Sequence, residues 1–230
     1  MSEFPPNLSI RPLTTEDLDQ CVSLEESGFD EHERASAEKL KYRLTVCPEL
    51  CSGLFIREYG YKYNAINLPE VADKLDKDHS DKVKSGEIKA DDDNEDLEDL
   101  PIKSSVTKEI LIGHIIGTKI PESKITDGSM ALPLGDDKTG HIENSRFIGI
   151  HSLVIDPKYQ NKSLGTLLIH DYIQKLSNQD LGDKVSLLAK SQLVPFYQKI
   201  GFDDLGESDC KFGGTTWNDL SMDLVPEDDD

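Results

Sequence analysis

Three stretches carry residues whose types and spacing could do chemistry. Gln160-Asn161-Lys162-Ser163-Leu164-Gly165-Thr166 is a small polar turn between an apolar run ending at Ile155 and an amphipathic segment. A strand entering a helix through such a turn leaves backbone N–H groups without intrahelical partners, and these favour an anion such as phosphate. His151 lies within the apolar run, and an imidazole with an ordinary pKa of about 6.5 suits proton uptake near neutrality. Tyr197, in Pro195-Phe196-Tyr197, carries a hydroxyl of pKa about 10 that can give a proton away. On pattern alone each has a plainer reading. Small-residue turns before helices are common, a single strand histidine is more often a satisfied core residue, and paired aromatics on an amphipathic helix are usually core.

These residues need particular elements to hold them. Residues 148–155 are mostly apolar or β-branched and predict a buried strand, which Asp156-Pro157 ends because proline cannot donate to a ladder. Strict alternation along it puts Gly149, His151, Leu153 and Ile155 on one face and Ile150, Ser152 and Val154 on the other. Leu164, Leu167, Leu168, Tyr172 and Ile173 recur at helical spacing. Upstream, Ser9–Leu13 predicts a short strand, and Thr14 or Thr15 caps a helix bearing Leu18, Cys21, Val22 and Leu24 on one face. A second helix is expected over Ala37–Val46. Cys51–Glu58 and Glu109–Ile120 predict an antiparallel pair, with Gly113 and Gly117 marking bulges or close backbone approaches. Residues 121–144 read as a long loop. A strand over 185–190, a helix with Pro195 in its first turn and strands near 207–212 and 215–224 complete the chain.

Composition bounds the rest. The 230 residues carry a formal charge of −20 with 36% hydrophobic residues. Residues 70–100 hold thirteen Asp or Glu against five Lys, two fifths of the whole excess. Such a run cannot bury enough apolar surface to offset its ordering entropy, so 61–108 is expected to be a disordered acidic insertion between two strands of a single domain spanning 1–230. The acidic balance argues against nucleic acid and anionic membrane as partners. The N-terminus lacks an apolar signal segment and no run reaches spanning length, which predicts a cytoplasmic protein. Cys21, Cys47, Cys51 and Cys210 have no metal spacing and are expected as free thiols. No metal is expected.

The turn Gln160-x-x-Ser163-x-Gly165-Thr166 resembles the [Gln/Arg]-x-x-Gly-x-[Gly/Ala] turn of the GNAT acetyltransferases. Leu193–Phe202 resembles that family's Pro-Phe-Tyr-x-x-x-Gly-Phe motif, and Leu44-Thr45-Val46-Cys47-Pro48-Glu49-Leu50 is similar to a segment of the arylalkylamine (serotonin) N-acetyltransferases and their fungal, polyamine-acetylating relatives. The resemblance covers nearly the whole chain outside about 61–108. It implies an α/β (α+β) GNAT fold, a mixed, mostly antiparallel twisted sheet flanked by helices. It also implies acetyl-coenzyme A as co-substrate, with the pantetheine arm on the backbone of Leu153, Val154 and Ile155. The phosphates would sit on Gln160, Asn161, Lys162, Ser163, Leu164, Gly165 and Thr166, and Tyr197 would lie beside the thiol.

The implied activity is acetyl transfer to small primary amines, arylalkylamines or polyamines, directly in a ternary complex of a monomer. His151 is the expected base and Tyr197 the expected acid. The amine pocket is expected between the segment 25–50, with Pro48 shaping its wall, and Leu188, Ala189 and Lys190. Glu25, Glu26, Asp30, Glu31 and Glu33 read as a solvated acidic face that would attract a polycation, and Phe29, Phe55 and Phe147 as aromatic walls for a tryptamine-like amine. Two residues depart from the family. Gly149 stands where the arylalkylamine enzymes have a second histidine, leaving water or Ser152 to substitute. Ser163 stands where glycine is usual; serine can fit there if φ stays negative, and its hydroxyl adds a donor. Alternatives are an acetyl-coenzyme A-binding sensor and a protein-lysine or N-terminal acetyltransferase.

Overall fold

The computed structural model describes residues 4–59, 106–135 and 138–224. The chain divides into two units, Met1–Phe55 with Leu111–Asp230, and Ile56–Ile110. Most of the second unit, and with it most of the acidic insertion, lies outside the described residues.

A seven-stranded sheet runs in the order β1-β2-β3-β4-β5-β7-β6. Its strands are β1 Leu8–Pro12, β2 Cys51–Tyr59, β3 Val106–Ile120, β4 Phe147–Ile155, β5 Lys184–Ala189, β6 Asp203–Glu207 and β7 Asn218–Asp223. β4 pairs antiparallel with β3 and parallel with β5; β7 is antiparallel to both β5 and β6. The helices are α1 Leu18–Gly28, α2 Ala37–Val46, α3 Leu164–Asn178 and α4 Val194–Ile200.

Local chemistry places the ends. A capping box at Thr14 and Asp17 precedes α1, and the Ser36 hydroxyl accepts from the Lys39 amide at 3.3 Å to start α2. Pro195 sits in the first turn of α4, which ends at Gly201 in the left-handed region, φ 117°. α1 and α2 cover one face of the sheet through Leu24, Leu40, Leu44, Phe55, Ile116 and Val154. Tyr172 of α3 is fully buried and donates to the Leu50 carbonyl at 3.0 Å. The final strands differ from the sequence expectation. Residues 208–217 are a loop carrying a short turn at Phe212–Gly214, because Gly213 and Gly214 take positive φ and break the ladder. The loop 121–144 contains one helical turn, Asp127–Met130, closed by reciprocal bonds between Thr126 and Ser129.

The β3–β4 ladder slips by one residue. Ile116 faces Ser152 and the next residue, Gly117, faces Ile150, so His151 has no partner and forms a β-bulge. This overturns the strict alternation expected along β4. His114 and Thr118, four apart on one face of β3, bond Ser152 and His151 respectively. Consecutive residues of β4 therefore present their side chains to the same side. Gly117 is needed at the slip, since a Cβ there would lie 2.7 Å from the Tyr172 hydroxyl and 3.0 Å from the Gly149 carbonyl.

Candidate functional site

Two cavities flank the C-terminal half of β4. The first, about 500 Å3, is walled by the end of α1 and the loop after it, by Met130, by β4 from Ile150 to Leu153, and by Leu187–Lys190, Tyr197, Phe212 and Trp217. The second, about 520 Å3, runs along Leu153 and Ile155 to the turn before α3, with Phe196 and Tyr197 opposite. Leu153, Leu193 and Tyr197 line both, so the cavities meet there.

In the first cavity the His151 Nε2 lies 2.7 Å from the Thr118 hydroxyl and its Nδ1 3.0 Å from the Met130 sulfur. Burial pushes its pKa well below the ordinary value, and the charges of Arg43 and Lys39 push the same way. The ring is therefore neutral near pH 7, the form that can accept a proton. Tyr197 is buried, and that burial alone raises its hydroxyl pKa, so it keeps its proton. Thr118 and Met130 gave no readable signal in the sequence: each sits in an apolar or loop context, and the β3–β4 ladder brings the first and the Asp127–Met130 turn the second to His151.

Gly149 has no spare volume beside it. A Cβ there would lie 2.6 Å from Ile125 Cδ1 and 2.8 Å from Ile120 Cγ2, so these side chains occupy the space expected to hold water. Ser152 does not substitute either. Its hydroxyl donates to Glu25 Oε1, and His114 Nε2 lies 3.0 Å from Ser152 Oγ and 3.1 Å from the same carboxylate oxygen. Glu25 Oε2 accepts from the Ala35 amide at 2.9 Å. Burial opposes ionisation of Glu25, but its hydrogen bond with His114, the His114 charge, Ser152 and the Ala35 amide outweigh it and lower the pKa.

Glu25 is thus a buried tie between α1, the following loop, β3 and β4 rather than part of a solvated face. Glu33 is also buried and partnered, accepting from Lys190 Nζ at 2.7 Å and from the Thr215 hydroxyl at 2.7 Å. Asp30, His32 and Glu33 are the group of metal-ligand type found among the described residues. Both Glu33 oxygens are already committed, so the trio is an ion-pair junction.

Of the expected acceptor residues, Leu188, Ala189 and Lys190 line the cavity. Pro48 does not: it is exposed and opens a turn whose next two carbonyls, Glu49 and Leu50, accept from Lys175 and Tyr172 of α3. Phe29 is a wall, whereas Phe55 is in the core under Arg11 and Phe147 packs near Ile120. The aromatic lining is completed by Phe212 and Trp217, which the sequence reading missed because it placed them in strands. Trp217 Nε1 donates to the Phe212 carbonyl at 2.8 Å and fixes the two together.

Leu153, Ile155 and the turn residues Gln160, Asn161, Ser163, Leu164, Gly165 and Thr166 all line the second cavity. Gln160 Nε2 donates to the Ile155 carbonyl at 3.0 Å, closing the end of β4. Val154 instead packs its side chain against Gly28, and the Lys162 ammonium lies 5.7 Å above the Tyr159 ring. Ser163 corrects another expectation: its φ is +59°, not negative, and its hydroxyl makes no cap bond. The serine thus keeps the glycine-like backbone, leaving the first amides of a 15-residue helix facing the groove without a side-chain cap.

Residues 102–224 match the acetyltransferase (GNAT) domain family. Over 114 residues the chain is 26% identical to serotonin N-acetyltransferase of Mesocricetus auratus, covering 50% of this chain and 51% of that protein. Over 54 residues it is 41% identical to GCN5-related N-acetyltransferase 2, chloroplastic, of Arabidopsis thaliana, covering 24% and 20%. The chain thus spans about half the length of the serotonin N-acetyltransferases that it matches. Among solved structures, the loading GNATL domain of CurA from Lyngbya majuscula has the same fold, with TM-score 0.58 at 15% identity over 94% of this chain and 98% of that one. So does the ribosomal-protein-S18-alanine N-acetyltransferase from Escherichia coli, with TM-score 0.52 at 11% identity over 97% of each chain.

Proposed function

Because this chain belongs to the GNAT acetyltransferase family, we propose that it transfers an acetyl group from acetyl-coenzyme A to a small primary amine with an apolar or aromatic body. The observation that carries this reading is the meeting of two cavities at Leu153 and Tyr197, with His151 in the first. The uncapped N-terminus of α3 would hold the pyrophosphate, and the backbone of Leu153–Ile155 the pantetheine arm, which supplies an activated acetyl thioester.

An alkylammonium of pKa about 10.4 is nucleophilic in only about one molecule in a few thousand at pH 7. Neutral His151, with Thr118 on its Nε2, takes that proton through water as the amine attacks. Tyr197, held protonated by burial, gives its proton to the departing thiolate. Phe29, Met130, Leu188, Phe212 and Trp217 supply apolar contact to the acceptor's body.

The test is thiol release from acetyl-coenzyme A with phenylethylamine, tryptamine, spermidine and a lysine peptide. The expected result is turnover on the aromatic amines that falls about 100-fold or more in His151→Ala. Tight cofactor binding with no turnover on any acceptor would replace this reading with that of a sensor, and turnover on the peptide alone with that of a protein acetyltransferase.

A further inference from the structure

Both ring nitrogens of His151 have a partner, and the two partners differ in what they can do. Nε2 lies 2.7 Å from the Thr118 hydroxyl, which can donate or accept, and Nδ1 lies 3.0 Å from the Met130 sulfur, which can only accept. A sulfur facing a bare imidazole nitrogen sets lone pair against lone pair, whereas a sulfur facing an N–H takes a weak hydrogen bond. The hydroxyl is satisfied either way, so the sulfur decides which nitrogen carries the proton. Met130 is held in place from three sides. Its amide donates to the Thr126 carbonyl at 3.1 Å, closing the turn Asp127–Met130. Its carbonyl accepts from Nη2 of the buried Arg43 at 3.3 Å, and its side chain packs with Ile120, Ile125 and Cys210.

We infer that Met130 is a positioning residue for the reaction: its sulfur holds the neutral His151 ring with the proton on Nδ1, and so keeps Nε2 as the atom that receives the acceptor's proton. This rests on the reading of His151 as the base. In the neutral ring Nδ1–H donates to the sulfur and the Thr118 hydroxyl donates to Nε2. The acceptor's ammonium gives up one proton, keeps the electron pair of the broken N–H bond for attack on the thioester, and the proton ends on Nε2. Nδ1–H stays where it was, and the Thr118 hydroxyl turns from donor to acceptor. Neither nitrogen loses its partner in either state. The other tautomer would aim the basic lone pair at Met130. A hydroxyl can turn or hand a proton on, and a thioether can do neither.

The test is nitrogen NMR of the full chain carrying nitrogen-15 histidine, recorded above neutrality, where the protonated and bare nitrogens of a neutral ring resonate far apart. His151→Gln identifies the signals. The expected result is a wild-type ring protonated on Nδ1, a state that Thr118→Val keeps. In Met130→Leu the share of the Nε2–H form should rise about threefold or more, the effect of losing one modest hydrogen bond. The same variant should lose kcat for phenylethylamine with KM for acetyl-coenzyme A unchanged, since Met130 lines the first cavity and not the second. Norleucine in place of the three methionines, which exchanges sulfur for methylene in the same shape, supplies the second measurement should leucine disturb the turn. A wild-type proton on Nε2, a ratio that neither replacement moves, or a moved ratio with undiminished kcat overturns the inference. If no free amine turns over, the activity reading fails, and the nitrogen spectra alone still decide whether Met130 sets the tautomer.

Discussion

His151 takes its place from a single ladder slip. A regular β4 would have left Ser152 on the opposite face from His151, and the bulge turns both towards the α1 and α2 side. The neutral imidazole has a pH signature. Burial, with Arg43 and Lys39, lowers the folded pKa below 6.5, so between those two values the unfolded chain binds more protons than the folded one. Stability therefore falls as pH drops below 6.5, and urea midpoints should show this slope shrinking in His151→Gln. The acid limb of kcat should likewise lie below pH 6.5 in wild type. Ser163 supports a second prediction. Its left-handed backbone costs a serine about 1 kcal/mol, which glycine relieves while giving back a similar amount in unfolded-chain entropy. Ser163→Gly should thus change stability by less than about 1 kcal/mol and lower KM for acetyl-coenzyme A, because the backbone can approach phosphate more closely. Ser163→Val, β-branched at positive φ, should lose about 2 kcal/mol and weaken coenzyme A binding measured by calorimetry. The residue types of this site were legible in the sequence because turn chemistry is local. The contacts of His151 were not, since Thr118 and Met130 come from segments far from it in the chain; nor was the sign of φ at Ser163, because serine adopts either sign in a turn.

At the scale of elements, the shape of the first cavity depends on how closely α1 lies against β4. Gly28, the last residue of α1, makes this possible: a Cβ there would lie 2.2 Å from Val154 Cγ2. Val154 is buried and β-branched, so it cannot swing away as a flexible chain would. Gly28→Ala should therefore lose about 1–3 kcal/mol in chemical denaturation, the usual cost of overpacking. Val154→Ala should recover part of that loss in the double variant, a coupling that two distant sites would not show. Additive losses would mean that the contact does not set the spacing. The helices and most strands were readable from caps, periodicity and proline, because those signals sit within each element. The strand ends after Gly206 were not, because successive glycines can continue a strand or break it. Pro48 shows the complementary limit. A matching local motif located the segment correctly in the chain, but the partner of its turn, α3, lies more than a hundred residues away.

At the scale of the whole molecule, the chain separates its chemistry from its charge. Every residue lining the two cavities belongs to the first unit, while the acidic run from 70 to 100 lies in the second. The strands that bracket this run are tied together at their described ends. The Thr107 hydroxyl donates to the Glu58 carbonyl at 3.1 Å, and Arg57 Nε lies 2.8 Å from Glu109 Oε1. A short turn replacing residues 61–105 therefore joins strands that already meet. Closing a long loop between two joined strands costs about 0.6 kcal/mol for each doubling of its length. Replacing it with a four-residue turn should raise stability by about 2 kcal/mol, a Tm increase of roughly 4–8 °C for a chain of this size. Because none of the cavity walls is removed, kcat/KM for a free amine should stay within about threefold of the full chain. A deletion that keeps its Tm but loses turnover would show that the acidic segment reaches the site or recruits the acceptor. Kept turnover on free amines with lost acetylation of a protein acceptor would instead mark the segment as a docking element for cationic partners.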